Sequence, residues 1–236
     1  MLIYKIREYW KLVIFLGVVG PLDAAGPTWI NKPIPQWNAE DARQILTSSP
    51  WVKNVIPVQL ADLTAQQRRE GGATGGGKGT GFSGIDGGLF SPEKDGPKSA
   101  GLQRSTATLT LRWESAIPVR AAELKAGEIG APDWEGDYYA IAVYHVPGLN
   151  AGQKLPSAVL KSAALLKREG KKDLKPSRVE ILQEAGQLSI VVYLFPKSDG
   201  ITLEDHRLDF VAQIGRLSLA QYFFPQEMQF EGKLEL

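Results

Sequence analysis

Hydrophobic and polar positions alternate most plainly in the C-terminal fifty residues. Leu188, Ile190, Val192 and Leu194 interleave with Ser189, Val191, Tyr193 and Phe195, so both faces of this strand are apolar. A strand of that kind belongs inside a sheet covered on two sides. Further strand patterns follow at 208–213, 216–223 and 228–236, divided by the turn Ile214-Gly215-Arg216 and by Pro225.

Upstream, Ala107, Leu109, Leu111 and Trp113 point one way and Thr108, Thr110 and Arg112 the other, which predicts a half-buried strand. Ser115 is placed to cap a helix over 116–126, with Ile117, Ala121 and Leu124 as its apolar stripe and Gly127 as its stop. Residues 137–146 are apolar on both faces and predict another interior strand. A second helix is expected over 156–169, with Val159, Leu160, Ala163 and Leu166 inward and Gly170 ending it. Residues 178–183 and 187–195 then form a hairpin. The order strand, helix, strand, helix and five further strands predicts an α+β fold. Its sheet is mainly antiparallel, with a C-terminal meander and helices packed on one face. A β-sandwich with decorating helices is the alternative.

This α+β domain is expected to occupy 102–236. Residues 25–70 form an arm carrying Trp29, Trp37 and Trp51 and a short helix over 39–48. Asn38 caps that helix, Glu40 and Asp41 suit its positive end, Pro50 stops it, and Ala42, Ile45 and Leu46 make its buried stripe. A strand over 53–60 is demoted toward an edge by Pro57. Residues 71–101 are a glycine-rich loop. Its segment 72–78 nearly matches a phosphate-binding loop, but Gly79 stands where a magnesium-binding hydroxyl is needed. Gly81-Phe82-Ser83-Gly84 falls short of a nucleophile elbow because Ile85 follows it.

Composition changes the picture at the N-terminus. Lys5, Arg7 and Lys11 precede an apolar run over 12–22, and small residues follow, so 1–24 read as a signal peptide. Eleven helical residues span about 16 Å, roughly half of a hydrocarbon core of ~30 Å. No permanent membrane span is therefore expected, and the chain is expected to be exported, to the periplasm or beyond the cell. Its removal would leave 24 basic and 24 acidic residues. With no cysteine, the chain has neither disulfides nor a thiol nucleophile, and two histidines give few nitrogen ligands for a metal. No cofactor is expected. Nothing in the pattern resembles a nucleic-acid-binding fold with stacking aromatics on a basic surface.

Several segments occur in order: Ser49-Pro50-Trp51-Val52-Lys53, the glycine-rich tract, Arg112-Trp113-Glu114-Ser115-Ala116, Leu194-Phe195-Pro196, Ile201-Thr202-Leu203-Glu204-Asp205 and Gly232-Lys233-Leu234-Glu235-Leu236. Together they resemble a family of bacterial secreted proteins of uncharacterised activity. The resemblance implies export and one shared fold. It brings no activity, cofactor or catalytic residue.

Candidate chemistry falls in several places. Glu204 and His206 could act as a carboxylate–histidine pair, and His145 is the other candidate base. Asp133, Glu135 and Asp137 could offer oxygens to a cation, although solvated turn residues are the simpler account. Trp29, Trp37 and Trp51 could line a ligand site or staple the arm to the body by burial. Residues 161–178 carry seven basic side chains against two acidic ones, among them Lys167, Arg168, Lys171, Lys172 and Lys175. Residues 199–236 carry seven acidic against three basic. The two regions could pair within the fold, pair between copies, or recruit an anionic envelope component. Arg112 and Glu114, on the face opposite Trp113, suggest an ion pair across the sheet.

Three functions fit: an exported non-catalytic binding or structural protein of the bacterial envelope, an exported hydrolase using a histidine–carboxylate pair, and a membrane-tethered structural protein that retains residues 1–24. The first accounts for most of these features, with an anionic envelope component or a protein as partner.

Overall fold

Two five-stranded antiparallel sheets share one apolar core in the computed structural model, which describes residues 27–60, 102–105, 107–127, 137–147, 156–184 and 188–236. The expected signal segment, the tract 71–101, Asp133 and Glu135 lie outside the described residues.

The strands are β1 (Val52–Val55), β2 (Val58–Leu60), β3 (Leu102–Arg104), β4 (Leu109–Trp113), β5 (Tyr138–Pro147), β6 (Ala164–Arg168), β7 (Arg178–Gln183), β8 (Leu188–Pro196), β9 (Leu208–Ile214) and β10 (Leu217–Phe223). A small hairpin of β11 (Gln229–Phe230) and β12 (Lys233–Leu234) follows. The first sheet has the order β1-β4-β5-β8-β7 and the second β3-β2-β10-β9-β6. The chain passes between them from β1 to β2, β3 to β4, β5 to β6, β6 to β7 and β8 to β9. The first crossing falls at Ile56 and Pro57, where proline's missing N–H ends one ladder before the next begins.

The core lies between the inward rows of the two sheets. Trp113 meets Phe223 with ring centroids 5.3 Å apart, and Phe210 meets Tyr193 at 5.4 Å and Phe195 at 6.3 Å. These edge-on contacts join β4 and β8 to β9 and β10. Val191 and Val192 of β8 are both buried, on opposite faces, as the doubly apolar pattern predicts. Ala140, Ala142, Val192 and Leu194 form a second, smaller cluster on the far face of the first sheet.

The class is α+β with antiparallel sheets, but three details depart from expectation. The closing strands do not form one meander: β7 and β8 belong to the first sheet, β9 and β10 to the second. The helices do not share one face. Helix α1 (Ala39–Ser48) packs against α2 (Ile117–Ala126) beside β1, whereas α3 (Ser157–Ser162) lies against β7 and β9. The layout thus approaches the sandwich alternative. Finally, the helix expected over 156–169 ends at Ser162, and residues 164–168 become β6, in register with β9 from Ala164 opposite Ala212 to Arg168 opposite Leu208. Alanine, leucine, lysine and arginine favour helix locally, and the ladder with β9 overrides that preference.

Helix α1 is set by local chemistry. The Asn38 side-chain oxygen accepts from the N–H groups of Glu40 and Asp41, both at 2.9 Å, and Asp41 returns a bond from the Asn38 N–H at 3.1 Å. Helix α2 ends as expected at Gly127, whose φ of +69° glycine adopts without strain. Its buried side, however, is Pro118, Val119, Ala122 and Glu123, while Ile117 and Leu124 are exposed. Nor does Ser115 cap it: that hydroxyl accepts the Ala140 N–H at 3.0 Å.

Candidate functional site

The basic stretch is built on β6. Its alternation turns Ala164, Leu166 and Arg168 inward and leaves Lys167 half-buried on the other side. Beyond Gly170 the chain folds back, and Leu174 bonds to Leu166 in both directions at 2.8 and 2.9 Å. The loop bearing Lys171, Lys172 and Lys175 is therefore tied at its root.

Five basic side chains of this stretch were candidates, and the fold divides them. Arg168 is buried and donates to Asp205 from Nε at 2.9 Å and Nη2 at 3.0 Å, with a further bond from Nη2 to the Gly200 carbonyl. Lys171 donates to the same carboxylate at 3.1 Å, as does the Thr202 N–H at 2.9 Å. Burial alone would raise the Asp205 carboxyl; the bonds from Arg168, Thr202 and Lys171 outweigh it and hold the group at about 2. Lys167 stands opposite Asp209 in the β6–β9 ladder. Lys172 and Lys175 are exposed. The basic and acidic regions thus pair within the fold where Arg168 and Lys171 meet Asp205.

A shallow hollow of about 250 Å³ lies beside this pairing, lined by Lys167, Arg168, Glu169, Asp173, Arg207 and Asp209. Arg207 binds Asp209 at 2.7 and 3.2 Å and lies 4.8 Å from the centre of the Tyr222 ring. Three cations and three anions leave the hollow without net charge.

The two histidines sit apart from one another. His206 is exposed, with Nδ1 3.3 Å from the Gln226 amide nitrogen. Glu204 is also exposed, and Thr202, Glu204 and Asp205 make a side-chain-capped turn. Among the described residues no hydrogen bond joins His206 to Glu204. His145 was expected on the face with Tyr139, Ile141 and Val143. A bulge between Val143 and Val146 turns it outward instead, with φ at +63° and its side chain half exposed. Glu184 holds it from both sides, one oxygen 2.8 Å from Nδ1 and the other accepting the His145 N–H at 3.0 Å. This carboxylate engages the ring through Nδ1.

Trp29, Trp37 and Trp51 are all buried, packed on one another with centroids 5.8 to 6.3 Å apart. Trp37 also meets Phe230, and Trp51 Nε1 donates to the Glu235 carbonyl at 2.7 Å. Their rings staple the arm to the body and offer no open face to a ligand. Asp137 is exposed, 3.6 Å from Lys197 Nζ. Among the described residues no group of three or more histidines and carboxylates is placed to hold a metal, and no helix is long and apolar enough to cross a membrane.

One further buried cluster joins β4, α2 and β5. Arg112 Nη1 donates to Glu123 Oε1 at 3.1 Å and its Nε lies 3.8 Å from Glu114 Oε1, while its guanidinium sits 4.5 Å over the Tyr144 ring. Tyr144 donates its hydroxyl proton to Glu114 Oε1 at 2.6 Å. The Arg112–Glu114 spacing suggests an ion pair, but Glu123 and Tyr144 come from other elements, α2 and β5. Comparison with protein-family models, with curated proteins and with solved structures yields no match to this chain.

Proposed function

We propose that this chain is an exported, non-catalytic binding protein of the bacterial envelope that meets an anionic partner through the loop after β6. What supports this most is that the loop is anchored at its root by Arg168, Asp205 and the Leu166–Leu174 bridge while Lys172 and Lys175 stay exposed. A preorganised loop loses little entropy when it binds. The leader-like pattern over 1–24 supports export.

The test is titration of the purified chain with polyphosphate, with vesicles containing anionic lipid and with a neutral polysaccharide, each at two salt concentrations. Binding to a polyanion that weakens with salt is expected, and Lys172→Glu with Lys175→Glu should weaken it about tenfold. Equal affinity of that double variant and the wild type would remove the loop from the proposal.

A second reading, an exported hydrolase, is favoured by one observation: the Glu184 carboxylate orients His145 at a strained backbone position, and such positions gather at functional sites. It requires that His145→Asn abolish turnover in a broad substrate screen. The tethered alternative depends on residues 1–24, and the mass of the exported product decides it.

A further inference from the structure

We propose that Glu114 and Glu123 form a proton-binding site, in which one dissociable proton held between their carboxyls locks helix α2 to the first sheet. The site lies on the face of that sheet away from the shared core. Both carboxyls are buried, Glu114 completely. Among the described residues, the charged and titratable groups recorded against them are Arg112 on β4 and Tyr144 on β5. Two carboxylates against one guanidinium would leave one negative charge buried without a counter-ion, a state that proteins avoid by neutralising the group.

The hydrogen bonds say where the proton sits. Glu114 Oε1 accepts from Tyr144, and Glu123 Oε1 accepts from Arg112. Glu114 Oε2 is buried with no donor directed at it. The Glu123 carboxyl shares the Arg112 guanidinium with Glu114, bonded to Nη1 at 3.1 Å, and is the acceptor that a proton on this oxygen would meet. Two carboxylate oxygens can bond only if one carries a proton. Placed on Glu114 Oε2 and donated to Glu123, the proton satisfies the orphaned atom and leaves one negative charge for Arg112. Burial, followed by the Glu123 charge, pushes the Glu114 carboxyl well above its usual range, in keeping with this assignment. Release breaks the Glu114 O–H bond, sends the proton to solvent and sets two anions against each other across the joint between α2 and the sheet.

The sign of the pH effect follows. An unfolded Glu114 loses its proton near the ordinary value of 4.5, and the folded one keeps it. Stability from this group is therefore fully present below 4.5 and declines as pH rises toward the folded value. Glu114→Gln provides an amide that donates to Glu123 and accepts from Tyr144 but cannot titrate. Urea unfolding of wild type and Glu114→Gln over a pH series tests the site. The ratio of their folding constants should shift in favour of the variant by about tenfold per pH unit above 4.5. A ratio independent of pH overturns the proposal. Should the variant fail to fold, infrared spectroscopy of the wild type at neutral pH decides. A protonated-carboxyl stretch that shifts in D2O and disappears in Glu123→Gln sustains the site, and absence of that band overturns it.

Discussion

Arg168 and Asp205 face each other through two parallel hydrogen bonds, at 2.9 and 3.0 Å, with side chains 5% and 0% exposed. The pair joins an edge strand of the second sheet to the connection between β8 and β9. Removing one partner strands the other charge where water cannot reach it. Asp205→Ala is expected to cost about 3–5 kcal/mol in urea unfolding. Lys171 is a third exposed and shares the same carboxylate, so Lys171→Ala should cost less than about 1 kcal/mol. Similar costs for the two variants would mean that the buried Arg168–Asp205 pair contributes no more to stability than the partly exposed lysine.

Acid should act on two carboxylates together. Asp41 is held at about 2 by the hydrogen bond from Lys32, then by those from Thr28 and the Asn38 N–H, and Asp205 at about 2 by its own ring of donors. Folded values below the ordinary 3.8 mean stability that is fully present above that pH and lost as pH falls through about 2. Asp41→Asn should lower stability at neutral pH and flatten the acid limb of a midpoint-against-pH curve. An unchanged acid limb would show that Asp41 is not held in this way.

Trp51 ties the arm to a carbonyl 184 positions away. Trp51→Ala should cost about 3–5 kcal/mol. Trp51→Phe keeps much of the packing but loses the indole N–H, leaving the Glu235 carbonyl to find another donor, a loss of about 1–2 kcal/mol. Equal destabilisation by both variants would show that the hydrogen bond, not the ring, holds the arm.

Helix α2 gives a direct comparison of faces. Ile117→Ser and Leu124→Ser should each change stability by less than about 0.5 kcal/mol, and Val119→Ala should cost about 1–3 kcal/mol. The reverse order would restore the stripe expected from spacing alone.

That helix also shows what a sequence can reveal. Its existence and its stop at Gly127 were legible because both depend on neighbours a few residues away. Its orientation was not, because Glu123 faces inward for the sake of Arg112, and no local pattern announces that bond. Helix α1 was legible in full, since Asn38, Asp41 and the buried Ala42, Ile45 and Leu46 all act within ten residues. Residues 164–168 have a helical propensity of their own, and only the ladder with β9 makes them a strand. The site divides in the same way. The lysine-rich stretch was visible as composition, but the fate of Arg168 depended on Asp205, 37 positions on, and that of His145 on Glu184, 39 positions on.

The five passages of the chain between the sheets constrain how this molecule can come apart. No single cut divides it into two pieces that each own a whole sheet, because every long segment lends strands to both. Fragments should therefore be unable to fold independently, yet able to complement each other when mixed. Heating should give one calorimetric peak for the body, with neither layer surviving the loss of the other.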